Sequence, residues 1–305
     1  MRWLAALALI ALGACRTAPV APPVVPPVVE VPVVPPVAEV VVPKPPPRPP
    51  RIGLALGGGA ARGFAHIGVI QVLEENGIHP DLVVGTSVGS LVATLYASGK
   101  SGSALSQLAD GMDETAFTDW SFPGRGLLRG EALARYVRDN TGGRMIEQMK
   151  LPLGIVATDL DNGQANLFQV GDAGMAVRAS SAVPAVFQPV RIGTREYVDG
   201  GLVSPVPVRF ARQMGAEVVI AVDISAAPEG NPTGDPMRML LQTFAIMGRS
   251  INSFELREAD VVLRPKLPGV SGADFTGRKR SIQAGREAAL AQIAELKSRI
   301  AAKTR

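Results

Sequence analysis

From residue 51 onward, unbroken apolar runs alternate with longer segments whose apolar residues recur every three or four positions. The runs at 52–56, 81–84, 153–158 and 217–223 lack the in-out alternation of a strand with one wet face. They predict strands buried on both sides, as in a parallel sheet. Residues 65–76, 88–98, 130–140 and 206–214 carry helical spacing, and residues 281–303 predict a long final helix with little chemistry of its own. Strand followed by helix, repeated along the chain, predicts an α/β fold with three α/β/α layers around a mostly parallel central sheet. The apolar stretch at 237–251 contains Met239, Leu240, Leu241, Phe244, Ile246 and Met247. It has two readings, a core helix or a soft lid over an acyl-chain groove.

Ahead of residue 51 the pattern changes. Arg2, an apolar run from Trp3 to Leu12, and the small residues Gly13 and Ala14 form the n-, h- and c-regions of a secretory signal over residues 1–14. The run is too short to span a bilayer as a stable helix. Leu12-Gly13-Ala14-Cys15 resembles a bacterial lipobox, which implies that Cys15 becomes the lipidated first residue of the mature chain. Acyl chains there, palmitate among them, would hold the protein on a membrane. Arg16, rather than an aspartate, follows the cysteine, and by resemblance to lipoprotein sorting this implies the outer membrane, facing the periplasm of a bacterial envelope. Residues 15–50 then form a tether. Proline and valine dominate it from residue 19, and proline at this density blocks helices and ladders. The expected form is polyproline II, about 3.1 Å per residue and roughly 100 Å if fully extended. A ligand for a proline-binding protein is the competing reading.

Composition narrows the classes. A chain of 305 residues with 47% hydrophobic and 19% charged content can bury one core of roughly 200 to 250 residues. One catalytic domain, residues 51–305, is expected. The net charge of +4 comes without a long basic run, so no nucleic-acid partner is expected. Cys15 is the single cysteine, which excludes an internal disulfide and a multi-cysteine metal site. Nothing in the sequence names a protein partner.

Gly85-Thr86-Ser87-Val88-Gly89 is a G-x-S-x-G elbow between a strand-like and a helix-like run. In that context the serine sits on a sharp turn, its Oγ pushed over the end of the sheet with the positive end of a helix beneath it. Ser87 is the candidate nucleophile. The two histidines, His66 and His79, both precede it, so a triad in the order serine, acid, histidine is impossible. An aspartate or glutamate is the expected base, with His66 as the lesser alternative, and Asp199, where a short strand ends in Gly200-Gly201, is the best candidate. Asp-Gly is also a common hairpin pair.

The first strand runs into Gly57-Gly58-Gly59-Ala60-Ala61-Arg62-Gly63. Phe64 stands where a Walker loop needs lysine, and Arg62 where a dinucleotide fingerprint needs its third glycine. No nucleotide cofactor is therefore expected. The remaining reading is an oxyanion hole built from the N–H groups of Gly58 and Gly59. Arg62 either orients this loop, meets a lipid phosphate, or caps a helix in solvent. His66 is expected to pack behind the loop. Asp159 and Asp161 lack the further acidic ligands of a calcium loop and read as loop formers, with no metal expected.

Three motifs occur in one order: the glycine loop ending in Arg62-Gly63, the elbow at Ser87 and the triplet Asp199-Gly200-Gly201. Residues 63–68 (GFAHIG) and 179–189 (ASSAVPAVFQP) accompany them. Together they resemble the patatin-like phospholipases, in the bacterial branch similar to neuropathy target esterase, over residues 51–286. The resemblance implies a serine hydrolase acting on acyl esters of lipids, with Ser87 as nucleophile and Asp199 as base. It also implies oxyanion donors at Gly58, Gly59 and Val88, and no cofactor. A relative that keeps the fold as a non-catalytic, lipid-binding envelope lipoprotein is the alternative. Ala60 stands where many members of the family have a further glycine.

Overall fold

The computed structural model describes residues 48–112, 119–121, 124–231, 233–270 and 276–305, all within the unit Pro46–Arg305. The signal, Cys15 and the tether as far as residue 47 lie outside the described residues.

Five parallel strands make the body of the sheet: β1 (Ile52–Leu56), β2 (Leu82–Thr86), β4 (Leu153–Asp159), β9 (Val218–Val222) and β10 (Val261–Leu263). Their order is β10-β9-β1-β2-β4. Beyond β4 the sheet turns antiparallel through β8 (Arg195–Asp199) and β7 (Val190–Ile192), and β5 (Ala165–Phe168) also pairs antiparallel with β4. A separate parallel pair joins β3 (Gly126–Leu128) to β6 (Ala185–Phe187).

The apolar runs became strands because helices cover both faces of the sheet. Leu54, Leu56, Val83, Ile155, Ile220 and Val222 pack on one side with α1 (Phe64–Glu75), α2 (Val88–Ala97), α3 (Gly102–Asp110), α4 (Glu131–Thr141), α5 (Ala173–Ser180) and α8 (Arg278–Ala302). Ala55, Val84, Val156, Val219 and Ala221 face the other way, onto Val208, Phe210 and Ala211 of α6 (Val208–Gln213). The three-layer α/β/α expectation holds. α6 is shorter than its spacing suggested because Pro205 and Pro207 delay its start, with Pro207 as the cap.

The reading of 237–251 as core does not hold. This stretch lies in α7 (Pro236–Glu255), whose fully buried residues are Asn252 and Glu255. Leu240, Phe244, Met247, Ile251 and Phe254 fall four and three residues apart, so they share one stripe. Within it Met247 and Phe254 are exposed and the other three are half-buried. α7 rests instead on its inner edge, with Gly248 against Pro205.

The chain enters at the amino ends of the strands. There Arg48 forms a bidentate pair with Glu217 at 2.8 and 2.9 Å and backbone bonds with Arg305. The Arg48 guanidinium, with the Arg51 N–H, draws the Glu217 carboxyl down to about 2. The sequence assigned α8 no chemistry, and its contribution is steric. A carbon added to Gly68 of α1 would lie 1.9 Å from Ile282 O, and one added to Gly285 of α8 would lie 1.9 Å from Ala65 O. The two helices cross backbone to backbone. Gly68→Ala is expected to lower the free energy of urea unfolding by about 3 kcal/mol, the upper part of the overpacking range. Gly234→Ala, which meets nothing within 4 Å, should change it by less than about 0.5 kcal/mol.

Candidate active site

β2 delivers Ser87 to the carboxyl edge of the sheet, and α2 starts immediately after it. Ser87 holds φ 54° and ψ −127°, a left-handed backbone that few non-glycine residues adopt. The glycines on either side explain how so tight a corner closes. A Cβ on Gly85 would sit 2.3 Å from Gly89 O, and one on Gly89 would sit 2.1 Å from Leu56 O. The corner is also tied down. The Ser87 N–H donates to Ser180 Oγ at 2.8 Å, Ser180 Oγ donates to Val156 O at 2.6 Å, and Ser90 donates twice to Ser87 O. None of these bonds uses Ser87 Oγ, and the residue is half-buried, open on one side.

Asp199 ends β8 and is 6% exposed. Its backbone is fixed by Ala182 O, which accepts its N–H at 3.0 Å, and by Thr158 Oγ1, which donates to its carbonyl at 2.8 Å. Its Oδ1 accepts the Gly201 N–H at 2.7 Å, while Oδ2 is buried without a partner. Burial pushes this carboxyl up to about 6, against the Gly201 N–H and the Ser87 hydroxyl, which draw it partly back. The serine is thus close enough to act on the carboxylate, yet no closed hydrogen bond joins them. Desolvation dominates, as expected for a carboxylate with one bare oxygen in a dry site.

A brace that no motif announced joins the two sides. Thr86 Oγ1 donates to Ser204 O at 2.9 Å, and Ser204 N–H donates to Gly200 O at 2.9 Å. Ser204 therefore ties Thr86, the residue before Ser87, to Gly200, the residue after Asp199. Its own hydroxyl donates to Glu255 Oε1 at 2.6 Å, at the buried end of α7. Burial raises the Glu255 carboxyl, opposed by Ser204 and by Arg209.

The glycine loop departs from expectation at one position. Gly58 N–H donates to Pro205 O at 2.9 Å, so it is not available to a substrate oxygen in this structure. The amides of Gly59 and Val88 have no hydrogen-bond partner among the described residues; Val88 follows Ser87, and Gly59 follows Gly58, where an added Cβ would lie 3.2 Å from Ser87 Cβ. Arg62 orients the loop: its Nε donates to Ile224 O at 2.8 Å, and burial lowers its pKa with Asp223 acting against that. His66 is fully buried behind the loop. Its Nε2 lies 2.8 Å from Gly57 O, an acceptor, so that nitrogen carries the proton and the unpartnered Nδ1 does not. Burial pushes His66 down to about 4, which keeps it neutral. Asp159 closes its own loop, accepting from Asp161 N–H and Asn162 N–H and pairing with Arg195 at 2.5 Å.

The Patatin-like phospholipase family profile matches residues 54–212, a span that includes Gly59, Ser87 and Asp199. An uncharacterized NTE family protein of Mycobacterium tuberculosis is 38% identical over 184 residues, which is 59% of this chain and 51% of that protein. Lysophospholipase NTE1 of Coccidioides immitis is 33% identical over 191 residues, 60% of this chain and 12% of that one. The chain thus matches about half the length, or less, of these relatives. Among solved structures, VipD from Legionella pneumophila shares the fold, with a TM-score of 0.55 and 16% identity over 82% of this chain and 68% of that chain.

The raised pKa of Asp199 has a signature in stability. Below about pH 4 the carboxyl is neutral folded and unfolded and makes no difference. Between about pH 4 and 6 the unfolded chain gives up its proton while the folded one keeps it, so the folded state loses stability progressively, and above about 6 the loss is complete at about 3 kcal/mol for a shift of this size. Asp199→Asn removes that loss. Compared with the parent by urea unfolding, the variant should be more stable at pH 8 and equal near pH 3.5. A difference that does not vary with pH would remove the case for a perturbed Asp199.

Proposed function

Because the chain belongs to the patatin-like phospholipase family, we propose that it hydrolyses acyl esters of lipids with Ser87 as nucleophile and Asp199 as general base. The observation that carries this reading is a buried Asp199 carboxyl with one oxygen unpartnered, on which the Ser87 hydroxyl acts. A carboxylate at its usual pKa near 3.9 is a feeble base for an alcohol, and one held near 6 is a better match.

In the proposed reaction Asp199 accepts the Ser87 proton as Oγ attacks the ester carbonyl. The oxygen that becomes negative is received by the N–H groups of Gly59 and Val88, with the positive end of α2 adding to the field. Gly58, committed to Pro205, shapes the loop rather than donating. The leaving alcohol takes the proton back from Asp199, and water, activated by the same carboxylate, releases the fatty acid. The strained corner at Ser87 keeps Oγ pointed at the carbonyl throughout.

Lysophospholipase, the activity in the fungal relative's name, belongs to the same reading here: a single-chain or two-chain lipid ester is the substrate class. No helix among the described residues is long and apolar enough to cross a membrane. Contact with lipid is proposed to run through an acylated Cys15, on the periplasmic side of an outer membrane, and through α7, whose Met247 and Phe254 are exposed, acting as a lid.

Ser87→Ala should abolish release of fatty acid from a short-chain chromogenic ester, by at least about 1,000-fold, and abolish labelling by a fluorophosphonate probe. The parent kcat/KM should rise with pH through an apparent pKa near 6 and then level, because the base must be ionised. Turnover that survives in Ser87→Ala would end the assignment.

A further inference from the structure

Next to the glycine loop, the carboxyl ends of β9 and β10 and the last turns of α7 enclose a half-open cavity of about 370 Å³. Three guanidinium groups line it, Arg249, Arg257 and Arg264, against one carboxylate, Asp223, with Asn252 and Ser253 completing the wall. Such an excess of positive charge in a concave site favours an anion. Each guanidinium has five N–H donors, and the internal contacts occupy few of them. Arg249 pairs with Glu229, Arg264 Nε stands 3.5 Å from Asp223, and Arg257 lies over the Phe254 ring at 5.2 Å. All three side chains remain exposed.

A second feature points to a ligand with more than an anion. Asn252 is 4% exposed, its Nδ2 donates to Ser225 Oγ at 3.0 Å, and its Oδ1 is buried with no partner. An orphaned buried acceptor calls for a donor, such as a hydroxyl or an ammonium. The cavity also borders the glycine loop. Asp223 adjoins Ile224, whose carbonyl holds Arg62 and lies 2.9 Å from where a Cβ of Gly59 would be. β10 and β2 are three strand spacings apart on the same sheet edge, about 14 Å.

We propose that this cavity is the head-group subsite of the substrate: the arginines take a phosphate attached to glycerol, and Asn252 Oδ1 with Asp223 takes a hydroxyl or ammonium beside it. This rests on the lipid-ester reading above and narrows it to phosphate-bearing lipids. A buried acceptor and a cationic wall reject a neutral ester, which leaves both unmatched.

Binding tests the site without turnover. The full chain carrying Ser87→Ala is titrated calorimetrically with sn-glycerol 3-phosphate and with inorganic phosphate. Glycerol 3-phosphate is expected to bind at least fivefold more tightly than inorganic phosphate, and to lose at least tenfold in affinity when Arg257→Ala and Arg264→Ala are added. Equal affinity for the two ligands assigns the cavity to a free anion and overturns the head-group reading, as does binding that ignores the arginines or no binding at all. Both arginines are exposed, so the variants should fold; a melting curve matching the parent checks it, and Arg257→Gln with Arg264→Gln repeats the measurement if it does not match. In the active chain, the ratio of kcat/KM for palmitoyl lysophosphatidylcholine over monopalmitoylglycerol should fall at least tenfold in the arginine variant. An unchanged ratio overturns the proposal even if both rates drop. Loss of all hydrolysis in the parent would instead strike the catalytic reading, leaving the binding result to decide the subsite.

Discussion

One carboxylate, that of Asp199, is kept dry and half-bonded at the carboxyl edge of the sheet, and the hydrogen bonds around it hold it that way. Burial makes Asp199 more basic, and every hydrogen bond given to it makes it less so. The structure divides the two demands between its oxygens. Oδ1 takes the Gly201 N–H and fixes the side chain; Oδ2 is left bare. With no imidazole to relay a proton, the position of that oxygen has to be set by the backbone on both sides of the gap.

That setting comes from residues outside the three motifs. Ser180 holds the N–H of Ser87 to β4, Thr158 holds the carbonyl of Asp199 to the same strand, and Ser204 links Thr86 to Gly200. β4, parallel to β2 and antiparallel to β8, is therefore the common reference for Ser87 and Asp199. Glu255 extends the brace into α7, so the helix with the exposed apolar stripe is mechanically joined to the residues beside the dyad.

The fold was legible because its central strands are covered on both faces, and such strands have to be continuously apolar: 52–56 matched β1 to the residue. The serine elbow and the Asp-Gly-Gly turn were legible because close backbone approach and a strained φ restrict residue choice locally. What the sequence hid depends on partners far along the chain. Gly58 looked like an oxyanion donor, since nothing near it in sequence shows that Pro205 O would claim its amide. Ser204 and Glu255 are 51 residues apart with no motif between them. Arg249, Arg257 and Arg264 have ordinary surface spacing, and only the fold of β9 and β10 makes them a wall. The stretch at 237–251 had the composition of a core helix, and composition alone does not say which side a helix offers to its neighbours.

Arg48 and Ser87 stand at opposite poles of the sheet. The upstream segment joins where the strands begin, bound to Glu217 and Arg305, whereas the elbow opens where they end. A body of this length is roughly 45 to 50 Å across. Anything that reaches Ser87 therefore approaches from the pole away from the Arg48–Glu217 knot, so the entering chain and the elbow do not compete for the same face.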